Sequence, residues 1–495
     1  MTPAAYLDAL LALPGMVHPL VSRDGRWVAW TWYRAGPAAD VYVAPTDGSA
    51  PPVRLTDTAE NTLLVSWTPD SAAVLVEEDH AGDERVRLFR VDLERPLAMV
   101  PLTEAEPKYF LHGGELHPNG RWLVYGANVD LTTGREIEPT WIYRHDLTTG
   151  ERRVLARPVK GGYVTPALSP TGTHVLYPRL DRHPAGRQIW LVDIEGQEDR
   201  EILNFGPDVK VFASWFPDGR RVVVLAETPM HRRLGVWELE SGALRWLVDD
   251  PARNIEHAYV PEGSPWIVLD DVQGARSRSS LLDPETGHET RLPEVPGTLA
   301  PLAPADGGAA WVGLYASSRQ PADAVRFTLD DPQPERFVSL GRVWERTALT
   351  ASDLTPAEDF RWRATDGLEI QGWLYRTAQR PARGTVVYVH GGPTSHSQDL
   401  LNTQIQLFAH EGFNVLDPNY RGSTGFGVAF REAIRAQGWG GPEQDDIRAG
   451  VEALLAAGIA TPGKVGITGT SYGGYSSWCA ITRFSLEIVA ASAPI

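Results

Sequence analysis

The sequence predicts a multidomain protein, a seven-bladed β-propeller followed by the N-terminal part of an α/β domain. Three observations carry this. A turn-and-strand unit recurs seven times between residues 22 and 310. The strand pattern gives way to alternating strands and helices near residue 355. With 495 residues, the chain is too long for one hydrophobic core.

The repeat comes first, because it decides the architecture. One unit reads Ser22-Arg23-Asp24-Gly25-Arg26-Trp27-Val28-Ala29-Trp30, and counterparts centre on Ser71, Gly120, Gly172 and Gly219, with weaker copies at Gly263 and Gly307. Successive markers are 46, 49, 52, 47, 44 and 44 residues apart. Pro-Asp-Gly triplets suit type I or II turns, since Pro presets φ and Gly accepts positive φ. Apolar strands such as Trp122–Tyr125 and Val222–Leu225 follow, so each unit is a sheet of about four strands. One such sheet cannot bury both faces, whereas seven arranged radially can, with Trp and Tyr filling the gaps between blades. The expected propeller spans 16–350. A short helix, Pro3 to Leu13, precedes it, capped by Thr2, with Tyr6, Leu7, Leu10 and Leu11 on its apolar face. Residues 1–15 are expected to pack on the α/β domain.

From 351 to 495 the pattern is that of a mostly parallel sheet. Phe360–Ala364 and Leu368–Tyr375 form a hairpin around Asp366-Gly367. Strands are expected at 385–389, 414–416 and 464–467, with another starting at 488, and helices at 400–410 and 445–457. The last helix has Ile447, Val451, Leu454 and Leu455 on one face.

Two loops of this sheet hold the chemistry. Gly469-Thr470-Ser471-Tyr472-Gly473 is G-x-S-x-G between a strand and a helix. A sharp turn there needs small residues beside the serine and lifts its hydroxyl above the sheet edge, while the following helix N-terminus favours developing negative charge. Ser471 is therefore the candidate nucleophile. His390-Gly391-Gly392-Pro393 follows an earlier strand, and its glycines let backbone N–H groups approach a substrate oxygen. With the N–H of Tyr472 they can form an oxyanion hole. His390 is expected to shape this loop rather than act as a base.

Taken together, the propeller repeats, H-G-G-P at 390–393, Asn419-Tyr420-Arg421-Gly422-Ser423-Thr424-Gly425-Phe426-Gly427 and G-T-S-Y-G-G-Y at 469–475 resemble the prolyl oligopeptidase family, in its acylaminoacyl-peptidase and dipeptidyl-peptidase-like branch. The resemblance covers nearly the whole chain and implies a partial α/β-hydrolase domain and a serine peptidase that cleaves short peptides, with the propeller limiting access. It implies Ser471 as nucleophile and Gly392 with Tyr472 as oxyanion hole, with His390 and Gly391 in the oxyanion loop. Prolyl oligopeptidase and dipeptidyl peptidase proper carry tyrosine where this chain has His390. That departure favours the acylaminoacyl branch and removes a side-chain oxyanion donor.

In this fold the acid and base follow the serine, and only residues 472–495 do so here. The expectation is a truncated member with no assignable triad Asp or His and little activity on its own. Asp445, Asp446, His396 and His410 lie in the wrong chain order. Arg421 is expected in a structural ion pair within its loop, Glu77-Glu78-Asp79 in a solvated loop, and Cys479 in the core. An esterase of the same fold and a non-catalytic propeller binding protein are the alternatives.

Composition bounds the rest. A net charge of −17 argues against nucleic acid and anionic membranes as partners. The N-terminus has no basic, then apolar, leader pattern, and a single cysteine suits a reducing, cytoplasmic setting. No cofactor or metal is expected; the partner is a short peptide substrate, and an oligomer is compatible with the sequence.

Overall fold

The structure is a computed structural model that describes residues 1–105, 109–160, 162–183, 185–484 and 490–492. Seven four-stranded antiparallel sheets follow one another at 15–54, 62–101, 111–156, 167–203, 210–248, 255–291 and 298–339, here blades 1 to 7. The seven repeat markers occupy one equivalent place, the turn from first to second strand. All have positive φ: Gly25 71°, Ser71 58°, Gly120 69°, Gly172 78°, Gly219 66°, Gly263 74° and Gly307 63°. The repeat in the sequence is thus a repeated left-handed backbone position, which glycine adopts without the Cβ penalty. Ser71 adopts it as well, and its hydroxyl accepts from the Asp24 amide of blade 1 at 3.2 Å.

Alternation along each strand sends side chains to opposite faces, and each face packs on a neighbouring blade. Val74 and Val76 meet blade 1 through Val41 and Val43, while Leu75 between them meets blade 3 through Leu123 and Tyr125. Every adjacent pair of blades shares such an apolar cluster. The ring closes without strand exchange, because each blade draws its strands from one contiguous segment. Trp30, Trp32 and Tyr42 of blade 1 pack instead against Ala305, Val312 and Ala324 of blade 7.

Helix α1 (Pro3–Leu11) is capped by the Thr2 hydroxyl, which accepts from the Ala5 amide at 3.3 Å. It buries Tyr6, Ala9 and Leu10; Leu11 is exposed, because it lies about 100° around the helix from Leu10 and off the buried face, and Leu13 beyond the helix is buried instead. These residues pack against Leu349, Leu354, Leu401 and Leu407, and the Tyr6 ring stacks on His410 at 3.8 Å.

Among the described residues the α/β region forms one six-stranded sheet in the order Ala357–Arg363, Glu369–Tyr375, Phe413–Asn419, Gly384–Tyr388, Val465–Thr468 and Ala490–Ser492. The first pairings are antiparallel and the last three are parallel. Residues 488 and 489, where the last strand was expected to begin, lie outside the described residues. Helix α2 (Thr403–His410) starts three residues later than expected, because Asn402 is its cap and accepts from the Gln404 and Ile405 amides. Helix α3 is Val428–Glu432, α4 is Pro442–Ala456 and α5 is Tyr472–Arg483. Ile447, Val451 and Leu454 are buried against the sheet, with Leu455 at the margin.

Candidate active site

Ser471 sits between the strand Val465–Thr468 and α5, at φ 58° and ψ −116°. A non-glycine residue there costs on the order of 1–3 kcal/mol of strain, which the surroundings must hold in place. Two glycines show how. A Cβ on Gly469 would lie 2.1 Å from the Val389 carbonyl oxygen, and one on Gly473 would lie 2.0 Å from it. The helix therefore starts pressed against the end of the neighbouring strand, and the residue between the glycines is pushed outward. Ser471 is exposed, while Tyr472, Gly473 and Gly474 behind it are buried.

The second loop lies beside it. The open side of Gly391 faces Ser471, with its notional Cβ 3.5 Å from Ser471 Cβ and 4.0 Å from Oγ. Gly392 has φ 121°, accessible to glycine alone at low cost, and precedes a cis proline. Among the described residues, the amides of Gly392 and Tyr472 donate to no protein acceptor, and the Ser471 hydroxyl has no hydrogen-bond partner. One strained hydroxyl and two unused amides thus share one end of the sheet, where the N-terminus of α5 adds its positive dipole end.

His390 is partly buried and bonded on both ring nitrogens. Nδ1 lies 2.8 Å from the Gly391 carbonyl oxygen and Nε2 lies 3.0 Å from Ser423 Oγ. Its ring stacks on Tyr420 at 4.5 Å, and the Tyr420 hydroxyl donates to the His390 carbonyl at 3.0 Å. Burial pushes its pKa down to about 4, so the ring is neutral near pH 7. The Gly391 carbonyl can only accept, so Nδ1 carries the proton there, while Nε2 lies against Ser423 Oγ, whose own proton goes to the Tyr420 carbonyl at 2.7 Å. Both ring nitrogens are thus engaged within the neighbouring loops, and neither is free for Ser471.

Tyr472 turns its side chain into the interior and donates to buried Glu443 at 2.8 Å. Glu443 also accepts from the Gly440 and Gly441 amides. Arg421 is in a structural ion pair, though its partners lie outside its own loop. It holds Asp446 of α4 in a bidentate contact, with Nε and Nη2 at 2.8 and 2.7 Å, and reaches Asp366 of the hairpin at 2.7 Å. Asp446 is thereby committed to structure. His396 bonds Thr424 at 2.7 Å and Gln398 at 2.8 Å, and His410 stacks on Tyr6 of α1 and bonds Glu411; neither hydrogen-bonds Ser471. Asp445 is on the outer face of α4, 3.6 Å from Arg448. Cys479 is buried.

The solvated-loop expectation for Glu77-Glu78-Asp79 is corrected. Glu77 and Glu78 end the strand Ala73–Glu78, where the Thr58 and Thr62 hydroxyls donate to Glu78. Glu77 and Asp79 line a cavity of about 500 Å³, and burial pushes the Glu77 carboxyl above its usual range. Sequence reasoning gave no role to Tyr420, Ser423 or Glu443. The first two stand in the quoted Asn-Tyr-Arg-Gly-Ser run, but nothing in it says that they face His390.

Comparison with known proteins bears on the fold. Residues 400–493 match the sequence profile of the prolyl oligopeptidase family. The chain is 23% identical over 508 aligned residues to dipeptidyl aminopeptidase BIII of Pseudoxanthomonas mexicana, covering 96% of this chain and 69% of that protein. Two further relatives are spanned over only 26% and 24% of their length. A Mycobacterium tuberculosis puromycin-hydrolyzing peptidase superposes with a TM-score of 0.76 at 22% identity, over 99% of this chain and 79% of that one. The acylaminoacyl peptidase of Pyrococcus horikoshii superposes with a TM-score of 0.73 at 18% identity, over 98% and 78%. At such identities the superpositions show the shared fold of propeller and hydrolase. No helix among the described residues is long and apolar enough to cross a membrane.

Proposed function

We propose, from the match of residues 400–493 to the sequence profile of the prolyl oligopeptidase family, that the protein is a serine peptidase of short peptides in which Ser471 attacks the scissile carbonyl. The observation that carries this reading is the exposed Ser471 at φ 58° beside the unused amides of Gly392 and Tyr472. In the reaction so read, Ser471 Oγ bonds to the carbonyl carbon. The carbonyl oxygen gains negative charge and moves toward the two amides, and the peptide amine leaves with a proton. Water then releases the acyl group from the serine. Donors of this kind typically contribute on the order of 3 kcal/mol each to the barrier. The strain at Ser471 serves the same end, since it fixes the nucleophile before substrate arrives.

The hydroxyl needs a base to become a good nucleophile. Among the described residues no histidine or carboxylate contacts it, so in this reading the base comes from none of them. Names of relatives include dipeptidyl and acylaminoacyl peptidases; short peptides are the substrate class common to them, and a reducing, cytoplasmic setting belongs to the same reading. The test is a fluorophosphonate probe on the protein made from its own reading frame, followed by peptide mapping. One adduct, on the peptide containing Ser471 and absent from Ser471→Ala, is expected, together with faster turnover of peptide than of ester substrates. A probe that leaves Ser471 unmodified removes the reading.

A further inference from the structure

The hydrolase sheet meets the propeller through a charged contact unlike its other cross-domain contacts. Arg431 of α3 donates to both oxygens of Glu227 in blade 5, at 3.0 and 2.9 Å. The side chains are 11% and 5% exposed. The comparable pair Arg276–Asp359 is longer, 3.6 Å, and more exposed. Glu227 also accepts from Arg232 Nε at 2.9 Å and Lys210 Nζ at 3.1 Å. Burial opposes its ionisation, but Arg431 and Arg232 outweigh it and hold the carboxyl down at about 2. A carboxylate fixed by three cations is a rigid anchor, and removing it leaves buried positive charge behind.

What Arg431 anchors lies next to Ser471. The Gly422 amide donates to the Phe430 carbonyl at 3.1 Å, which ties α3 to the 419–427 loop. That loop grips the oxyanion segment at three points. Ser423 bonds His390, the Tyr420 hydroxyl bonds the His390 carbonyl, and the Thr424 amide donates to the Ser395 carbonyl at 3.0 Å. The open side of Gly391 in turn faces Ser471. A series of hydrogen bonds therefore runs from blade 5 to the loop that faces the nucleophile turn.

Resting on the reading of Ser471 and Gly392 above, we propose that Glu227 and Arg431 are positioning residues, through which docking of blade 5 on α3 holds the His390–Gly392 loop in register with Ser471. The propeller would then set the geometry of the oxyanion loop as well as covering it. A purely local ion pair would hold blade 5 to α3 and have no effect beyond α3.

Hydrogen exchange by mass spectrometry on the 495-residue chain separates these. In Glu227→Gln and in Arg431→Met, amides in 388–394 and 419–424 are expected to exchange about tenfold faster, with the hairpin 357–375 unchanged. Arg431→Lys, which keeps the charge but not the two-pronged contact, is expected to lie between. Arg435→Met, on an exposed pair with Glu432 one turn away, is expected to change nothing. Unchanged exchange in 388–394, with acceleration confined to 223–236 and 428–432, overturns the proposal, as does equal acceleration in Arg435→Met. If Glu227→Gln melts globally, Arg431→Met and Arg431→Lys carry the test, since Glu227 keeps two cations in both. Exchange is read without turnover, so its failure leaves the Ser471 reading standing, and an unlabelled Ser471 leaves the exchange result standing.

Discussion

The propeller and the hydrolase sheet reach stability by opposite means. The propeller repeats one solution seven times: a left-handed turn, then strands whose two faces feed two neighbouring apolar seams. The hydrolase sheet uses contacts that occur once each, such as Gly473 against Val389, Arg421 between Asp446 and Asp366, and Glu227 against Arg431. Repetition spreads the free energy over many interchangeable contacts. The single contacts concentrate it where backbone strain has to be held.

Mutations can break or sharpen this contrast. Phe327→Ala, in the seam between blades 6 and 7, is expected to cost about 4 kcal/mol. Thermal unfolding should report the loss, while hydrogen exchange in 388–394 stays as in the parent. Asp446→Ala is expected to cost about 3 kcal/mol, because it removes the buried half of the Arg421 contact and leaves only exposed Asp366. It should loosen 419–424, which the larger propeller mutation does not.

Acidification acts on the hydrolase side through His390. Its folded pKa of about 4 lies below the ordinary 6.5, so between these values the unfolded chain binds the extra proton. The contribution of His390 to stability is therefore full above pH 6.5 and falls as pH drops toward 4, by about 3 kcal/mol. Denaturant midpoints of parent and His390→Asn should diverge over that interval, and equal slopes would remove the assignment. The smallest effect is expected at a single repeat marker. Gly120 has φ 69° and open space around its Cβ position, so Gly120→Ala pays only for backbone strain, about 1 kcal/mol. A midpoint shift as large as that of Phe327→Ala would mean that the turns, rather than the seams, hold the ring.

The same contrast explains what the sequence made legible. Gly25 to Gly307 could be found because a backbone requirement met seven times leaves a visible period. Gly469 and Gly473 could be found because the crowding at Val389 admits no side chain. The partners of Arg421 were not legible, since Asp366 and Asp446 lie 55 and 25 residues away and nothing periodic links them. Ring closure by Trp30, Trp32 and Tyr42 against blade 7 was equally hidden, because any apolar residue pairs with any other in sequence. Glu77 and Glu78 misled for a physical reason: two carboxylates suggest solvent, yet threonine hydroxyls and a cavity accommodate them at a strand end.

The central claim concerns where negative charge develops beside Ser471. A crystal structure of the phosphonylated protein addresses it most directly. Phosphorus is expected on Ser471 Oγ, with its free oxygen about 2.7–3.1 Å from the amide nitrogens of Gly392 and Tyr472. Phosphorus on another serine, or an oxygen turned to bulk solvent with both amides unused, would contradict it.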